Sequence, residues 1–264
     1  MKKKGDTVVL FVPGLESGPR GSKAKYLSKH FPNTVALDLR MGLGLQHENG
    51  PVRWLGLYLV AAAAVCATAL HMFGTWPARA APLLLGAAGL VPFMRWRVQC
   101  SLEACTDVVA AAVREAAPDV LVGSSWGGRV VLRVIERREW AGPTVLLCPA
   151  VAASPPLFRA VLPPYLPSVP PAAASACRVL HGSADDVVPM GAVADLCLNC
   201  GMPLEVLPGA DHRLNDGLLK THHLRAVIKG AIAPAEFRNS LLVGSTATGG
   251  VGCDSDLKER SPLL

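Results

Sequence analysis

Short apolar runs, each followed by turn residues, alternate along the chain with longer segments in which apolar residues recur every three or four positions. The short runs are rich in β-branched residues and predict strands buried on both faces, at 7–12, 34–39, 119–123, 144–148, 178–181 and 204–207. The longer segments predict helices at about 22–31, 101–116, 129–138, 191–200 and 215–232. This alternation predicts an α/β fold, a mostly parallel sheet with helices on both faces.

Composition excludes several classes of protein. The chain has 264 residues, of which 51% are hydrophobic and only 17% charged, so it is too apolar for a disordered chain. The length suits one domain, or one domain that carries an insertion. The net charge of +6 fits an anionic membrane surface as well as nucleic acid. Because the sequence has no zinc-finger, RRM or basic-helix pattern, we predict no nucleic-acid partner.

A nucleophile motif lies between the third predicted strand and the helix that follows it. Gly123-Ser124-Ser125-Trp126-Gly127 fits G-x-S-x-G, in which a serine on a sharp strand-to-helix turn projects its hydroxyl above the sheet. The motif predicts Ser125 as a nucleophile. The alternative is an ordinary turn in which Ser124 and Ser125 only cap the helix.

A serine nucleophile needs a base and an acid that orients the base. The segment after the fifth predicted strand supplies Asp185 and Asp186, and we favour Asp185, with Asp186 as the alternative. His212 follows the sixth predicted strand, at the sheet edge where active sites of parallel sheets form. The sequence therefore predicts Ser125, His212 and Asp185 as a catalytic triad.

The oxyanion of acyl transfer requires two backbone N–H donors. We predict one from Trp126, directly after the nucleophile, and the other from Leu15, in the Gly-rich loop after the first strand. A phosphate-binding loop is not predicted there, because its Gly-Lys-Ser/Thr order is replaced by Gly-Ser-Lys at residues 21–23. Cys197 and Cys200 have zinc-like spacing but lack a second pair, so no metal or cofactor is predicted.

Four segments together resemble the α/β-hydrolase superfamily, and within it small serine esterases or thioesterases. They are Pro-Gly-Leu-Glu-Ser-Gly-Pro, Gly-Ser-Ser-Trp-Gly-Gly, His-Gly-Ser-Ala-Asp-Asp-Val-Val-Pro and Gly-Ala-Asp-His, in this order. The resemblance covers about residues 7–50 and 101–232 and implies hydrolysis through an acyl-enzyme. One departure is Pro13-Gly14 where relatives often have His-Gly, and a larger one is an apolar insertion.

The insertion contains two apolar runs. Residues 54–73 carry no Asp, Glu, Lys or Arg and as a helix would reach about 30 Å, whereas residues 80–94 would reach about 22 Å. Trp54, Trp76 and Trp96 bracket the runs like interfacial aromatics, and basic residues lie mainly outside them. These features predict a hydrophobic membrane hairpin with both ends in the cytosol. The alternative is a helical lid packed on the sheet.

The predicted organisation has a hydrolase core at 1–50 and 101–239, a hydrophobic hairpin at 51–100 and a disordered tail at 240–264. We expect a serine hydrolase that cleaves ester or thioester bonds of lipid or acylated substrates at a membrane, with its catalytic domain facing the cytosol. The tail ends in an acidic dileucine pattern, Glu259 to Leu264, which suggests endosomal or lysosomal membranes. Two alternatives remain, a non-catalytic membrane or trafficking protein on a hydrolase scaffold and an acyltransferase.

Overall fold

The computed structural model describes residues 7–15, 18–40, 48, 55–72 and 76–233. The chain divides into two compact units, Met1–Ile232 and Ala233–Leu264, and every described helix and strand belongs to the first. The predicted disordered tail and its dileucine motif lie outside the described residues, as do the basic N-terminus and Trp54.

The centre of the first unit is a parallel β-sheet. Its strands are β1 Val8–Val12, β2 Asn33–Ala36, β3 Val120–Ser124, β4 Thr144–Leu147, β5 Cys177–Gly182 and β6 Leu204–Leu207. They lie in the order β2-β1-β3-β4-β5-β6, and every neighbouring pair is parallel. All six strands therefore end at one edge of the sheet, which is where loops of such folds carry functional side chains.

Helices connect the strands. They are α1 Ser22–His30, α2 Leu55–Met72, α3 Trp76–Ala116, α4 Trp126–Glu136, α5 Pro156–Val161, α6 Pro171–Ala176, α7 Met190–Cys200 and α8 His223–Ile232. A π-helical turn, Asn215–Lys220, precedes α8. The predicted CxxC pair lies on α7.

The sheet is covered on both faces because apolar side chains point alternately to each side of every strand. Leu10, Leu121 and Leu146 face α3, α4 and α7 in one buried cluster. Val9 and Val122 face α1 and α8 in a second cluster. The predicted parallel sheet with helices on both faces is therefore confirmed.

Helix α3 differs from its prediction. The sequence suggested that a helix begins at Ser101, but the structure has one continuous helix of 41 residues through this position. Residues 93–101 contain neither Pro nor Gly, so nothing in the local sequence interrupts the helix. Ser101 is buried inside it, and the predicted boundary between insertion and core at residues 100 and 101 falls within α3.

The last predicted helix is also divided. Instead of one helix over 215–232, the π-helical turn ends at Lys220 and α8 begins at His223. His222 between them has φ of +59°, which no continuous right-handed helix permits. Helix α1 begins at Ser22, whose hydroxyl donates to Asn215 Oδ1.

The membrane hairpin is not supported. Helix α2 and α3 pack on each other, with the rings of Tyr58 and Phe93 stacked at 4.6 Å between centroids. Among the helices of the described residues, none has both the length and the apolar character needed to cross a bilayer. Helix α3 instead runs on into the core, where Leu102 and Val109 are buried against the sheet.

Candidate active site

The turn between β3 and α4 carries Ser125 in a strained conformation. Its φ is +54° and its ψ −117°, a region that non-glycine residues rarely adopt. Backbone hydrogen bonds hold it there, because Ser125 N–H donates to Leu147 O and Ser125 O accepts from Gly128 and Ala150. The serine therefore lies at the carboxyl edge of the sheet with its hydroxyl directed away from the strand.

Glycines make this turn possible. A Cβ on Gly127 would lie 2.2 Å from Val12 O, and a Cβ on Gly123 would lie 2.9 Å from Gly127 O. Neither neighbour is a side chain that could move aside, since both are backbone atoms. Only glycine lets β1 and the start of α4 approach this closely.

The three side chains predicted as a triad lie in one hydrogen-bonded chain. The Ser125 hydroxyl donates to His212 Nε2 at 2.9 Å, and His212 Nδ1 donates to Asp185 Oδ2 at 2.8 Å. Ser125 follows β3, Asp185 follows β5 and His212 follows β6, so the parallel topology brings them to the same edge. Asp186, the alternative acid, is exposed and has no contact with His212 among the described hydrogen bonds.

The side chain of Asp185 is fully buried, and its two oxygens are used differently. Oδ2 faces His212, whereas Oδ1 accepts the backbone N–H groups of Val187 and Val188, both at 2.9 Å. Burial alone raises the pKa of Asp185, but the hydrogen bonds from His212 and Val188 outweigh it and leave the pKa below its ordinary value. The carboxylate is thus charged and fixed in orientation at neutral pH.

The loop that carries His212 is also fixed. Asp211 Oδ1 accepts the backbone N–H groups of Arg213 and Leu214, at 3.0 and 2.9 Å, and so closes a local turn around the histidine. No role was predicted for Asp211, although an Asp that can accept the N–H groups two and three residues on is a recognisable turn signal.

Two buried groups next to Asp185 were not predicted. His181, at the end of β5, places Nε2 3.6 Å from Asp185 Oδ2 and donates from it to Val188 O at 3.2 Å. Its Nδ1 is buried without a hydrogen-bond partner among the described residues. Burial lowers the pKa of His181, so the ring is neutral at pH 7. The four-residue spacing between His181 and Asp185 was the sequence feature that could have predicted their contact.

Cys148 is the second of these groups. It follows β4, is buried, and has φ of +44°. Its Sγ lies with an Asp185 oxygen and a His212 nitrogen in a group within 4.8 Å of one another, which is the spacing of a metal site. Burial raises the pKa of the Cys148 thiol well above its usual range, which disfavours the thiolate that a metal would require. The His212–Asp185 hydrogen bond occupies the other two groups, so a proton relay fits these residues better than a metal.

Of the two residues predicted as oxyanion donors, Trp126 directly follows Ser125 and Leu15 lies on the loop after β1. Trp126 is the first residue of α4, where backbone N–H groups have no partner within the helix. Leu15 follows Gly14, and a Cβ on Gly14 would lie 3.0 Å from Ser125 Cβ. The loop after β1 therefore contacts the nucleophile, and the donor roles of Trp126 and Leu15 stay predictions.

A buried arginine ties the segment after β4 to the nucleophile helix. Arg129 is 3% exposed and donates to Ala150 O and Pro163 O at 3.2 and 3.3 Å, with its guanidinium 4.7 Å from the Tyr165 ring centroid. Burial lowers the pKa of Arg129 to about 10. The arginine thus holds residues 150–165 beside the turn that carries Ser125.

Comparison with known proteins identifies the fold. TT1662 from Thermus thermophilus is similar with a TM-score of 0.53 at 14% identity, over 88% of this chain and 91% of that one. At this identity the likeness shows a shared fold, a parallel sheet covered by helices. An alpha/beta hydrolase from Novosphingobium aromaticivorans gives a TM-score of 0.45 at 11% identity, over 86% and 90% of the two chains. No protein-family model and no curated protein sequence matches the chain.

Proposed function

We propose that the protein is a serine hydrolase that cleaves carboxylic ester or thioester bonds. The observation that carries the proposal is the continuous hydrogen-bonded chain from the Ser125 hydroxyl through His212 to Asp185, at 2.9 and 2.8 Å. The Ser125–His212 distance lies within the range over which a positioned base removes a proton, and the His212–Asp185 distance is that of a hydrogen bond that orients the base. The strained turn at Ser125 supports the same role, because strain of this kind concentrates at functional sites.

The mechanism follows from these positions. Ser125 Oγ attacks the carbonyl carbon while His212 Nε2 takes its proton, and a tetrahedral oxyanion forms that the N–H groups of Trp126 and Leu15 stabilise. His212 then donates the proton to the leaving alcohol or thiol, and an acyl group remains on Ser125. Water adds to this acyl-enzyme by the same route and releases the acid. Asp185 keeps the imidazole in the required tautomer and stabilises the imidazolium.

A fluorophosphonate probe tests this function. We expect it to label the wild-type protein, with the modified peptide carrying the adduct on Ser125 rather than on Ser124. Ser125→Ala should lose the label, whereas Ser28→Ala, at an exposed position on α1, should keep it. Absence of label from folded wild-type protein would favour the non-catalytic scaffold. Product analysis with added alcohols separates hydrolysis from acyl transfer, because a transferase would form a new ester.

We propose further that the substrates are lipids or acylated molecules at a membrane surface. The support is α2, whose 18 residues contain no Asp, Glu, Lys or Arg. Four of its large apolar side chains are exposed: Leu57, Leu59, Val60 and Val65. A helix that is apolar on all sides and exposed favours contact with lipid rather than water.

Liposome flotation tests the membrane proposal. We expect the wild-type protein to float with phosphatidylcholine vesicles that contain phosphatidylserine. A variant with all four exposed α2 residues replaced by Ser should stay at the bottom of the gradient. Leu198→Ser, on the exposed face of α7, is the matched control and should float like wild type. Wild-type protein that does not float would contradict this part of the proposal without affecting the first.

A further inference from the structure

A small cavity lies beside the proposed nucleophile, between the loop after β1 and the start of α1. Its lining includes Phe11, Gly14, Ser22, Lys23 and Ser124. Its enclosed volume is about 30 Å³. Sites for whole drug-sized ligands are far larger, roughly 300–1,000 Å³. The cavity therefore has room for one small chemical group of a substrate whose remainder lies outside it.

Gly14 connects this cavity with the reacting atoms. A Cβ on Gly14 would lie 3.6 Å from Ser125 Oγ, so the cavity wall is in contact range of the nucleophile. A group bound in the cavity would therefore be only a few bonds from the carbonyl carbon under attack. A cavity in this position can bind a group that lies close to the bond under attack.

Lys23 determines the charge of the cavity. Of the residues described as lining it, only Lys23 has a charged side chain. No ion pair among the described residues includes Lys23. Two charged side chains outside the cavity act on Lys23 with opposite signs, because Asp211 favours the charged ammonium and Arg213 disfavours it. Lys23 is half-buried, and burial lowers its pKa.

The rest of the cavity also suits an anion. Gly21 caps α1 without a side chain, so no carboxylate or hydroxyl covers the first turn of the helix, and that turn contains no acidic residue. The backbone N–H groups of the first turn of α1 add to the positive potential of Lys23. A half-desolvated ammonium is stabilised when an anion replaces the lost water.

We propose that Lys23 and this cavity bind an anionic group, a carboxylate or a phosphate, of the ester or thioester that Ser125 attacks. The inference rests on the proposed hydrolase function and adds to it a specificity for negatively charged substrates. It is compatible with an acyl chain on the substrate, because the charged group and the chain would occupy different surfaces. The Gly-Ser-Lys order of residues 21–23, which does not fit the Gly-Lys-Ser/Thr motif, thus places a lysine in the cavity.

Two pairs of matched substrates test the inference. The first is mono-p-nitrophenyl succinate with its methyl ester, and the second is a 1-acylglycerol phosphate with the 1-acylglycerol of the same chain length. We expect the wild-type protein to prefer the charged member of at least one pair in kcat/KM. Preference in the first pair identifies a carboxylate, and preference in the second a phosphate.

Three variants assign the preference to Lys23. Lys23→Gln should lower it about tenfold, the factor that corresponds to one charge-assisted hydrogen bond. Lys23→Arg keeps the positive charge and should retain most of the preference. Lys25→Gln, an exposed lysine on the same helix, is the matched control and should leave the preference unchanged.

The possible outcomes separate this inference from the hydrolase function. Equal kcat/KM for charged and neutral substrates in wild-type protein, measured without any variant, would overturn the anion site. An unchanged preference in Lys23→Gln would overturn it too. In both cases, labelling of Ser125 and hydrolysis of the neutral esters would leave the hydrolase function standing. A folded protein that takes no label and hydrolyses none of the four substrates would instead overturn the hydrolase function.

Discussion

The turn that carries Ser125 is tightly packed against neighbouring backbone, whereas helix α2 has open space around much of its surface. At the turn, backbone approaches backbone so closely that a Cβ on Gly127 would lie 2.2 Å from Val12 O. At α2, a Cβ on Gly56 would have no neighbour within 4 Å, and large apolar side chains such as Val60 are exposed. Substitutions at the turn should therefore alter activity or folding, whereas those at α2 should alter only what the surface binds.

This contrast also explains which parts of the structure could be predicted from the sequence. A turn with so little space accepts few residue types, so its sequence is recognisable as a motif. The polarity of α2 alone restricts its sequence, and polarity does not distinguish a spanning helix from one packed on α3. The following predictions test the contrast.

The largest expected effect is on kcat and comes from replacing the buried carboxylate of Asp185. Asp185→Asn should lower kcat by about 10³ to 10⁴-fold, because an amide does not hold the His212 tautomer that accepts the serine proton. Asp186→Asn, at the exposed neighbouring position, should leave kcat close to wild type. Ester hydrolysis by both folded variants gives the comparison. If Asp186→Asn were the inactive variant, the acid would be assigned to the wrong residue.

A pair of glycine substitutions compares the two regions directly. Gly127→Ala should destabilise the protein by about 3 kcal/mol or more, because the new methyl group overlaps backbone atoms of β1. Gly56→Ala should be neutral or stabilise by up to about 1 kcal/mol, because alanine favours helix and meets no neighbour. Urea denaturation of both variants measures the difference. Equal stabilities would mean that the turn relaxes and is not tightly constrained.

A smaller expected effect is the contribution of His181 to the pH dependence of stability. The unfolded chain binds a proton at this histidine below its ordinary pKa of 6.5, whereas burial lowers the pKa in the folded state. Stability should therefore fall as the pH decreases from about 6.5 towards the lower folded pKa. Asp185 does not interfere, because its lowered pKa lies below 3.8. The free energy of unfolding should differ less between pH 7.5 and pH 5 in His181→Gln than in the wild-type protein. If the difference were equally large in both proteins, groups other than His181 would cause the pH dependence.

The smallest expected effect on stability comes from a substitution on the exposed surface of α2. Leu59→Ser removes an exposed leucine and should change the free energy of unfolding by less than about 0.5 kcal/mol. Chemical denaturation checks this value. A loss above about 2 kcal/mol, typical of a buried leucine, would show that the side chain is packed in solution and that α2 belongs to the core.

Much of the fold was readable from local pattern. Each of the six strands lies within a few residues of its predicted range, because strands buried on both faces are short apolar runs with clear boundaries. Ser125, Asp185 and His212 were selected by their place after particular strands, and the parallel topology brings them together. The course of α3 was misread, because a break was inferred from Ser101 where the helix continues.

By itself, the sequence determined the order of strands and helices and the residue types at each strand end, since these depend on periodicity and on neighbours along the chain. Only the tertiary structure decided which distant groups share one environment. It placed His181 and Cys148 beside Asp185, buried Arg129 among carbonyl oxygens, and set Lys23 in a cavity that Gly14 and Ser124 also line. The physical reason is that burial and charge depend on atoms far away in sequence, which no local pattern records.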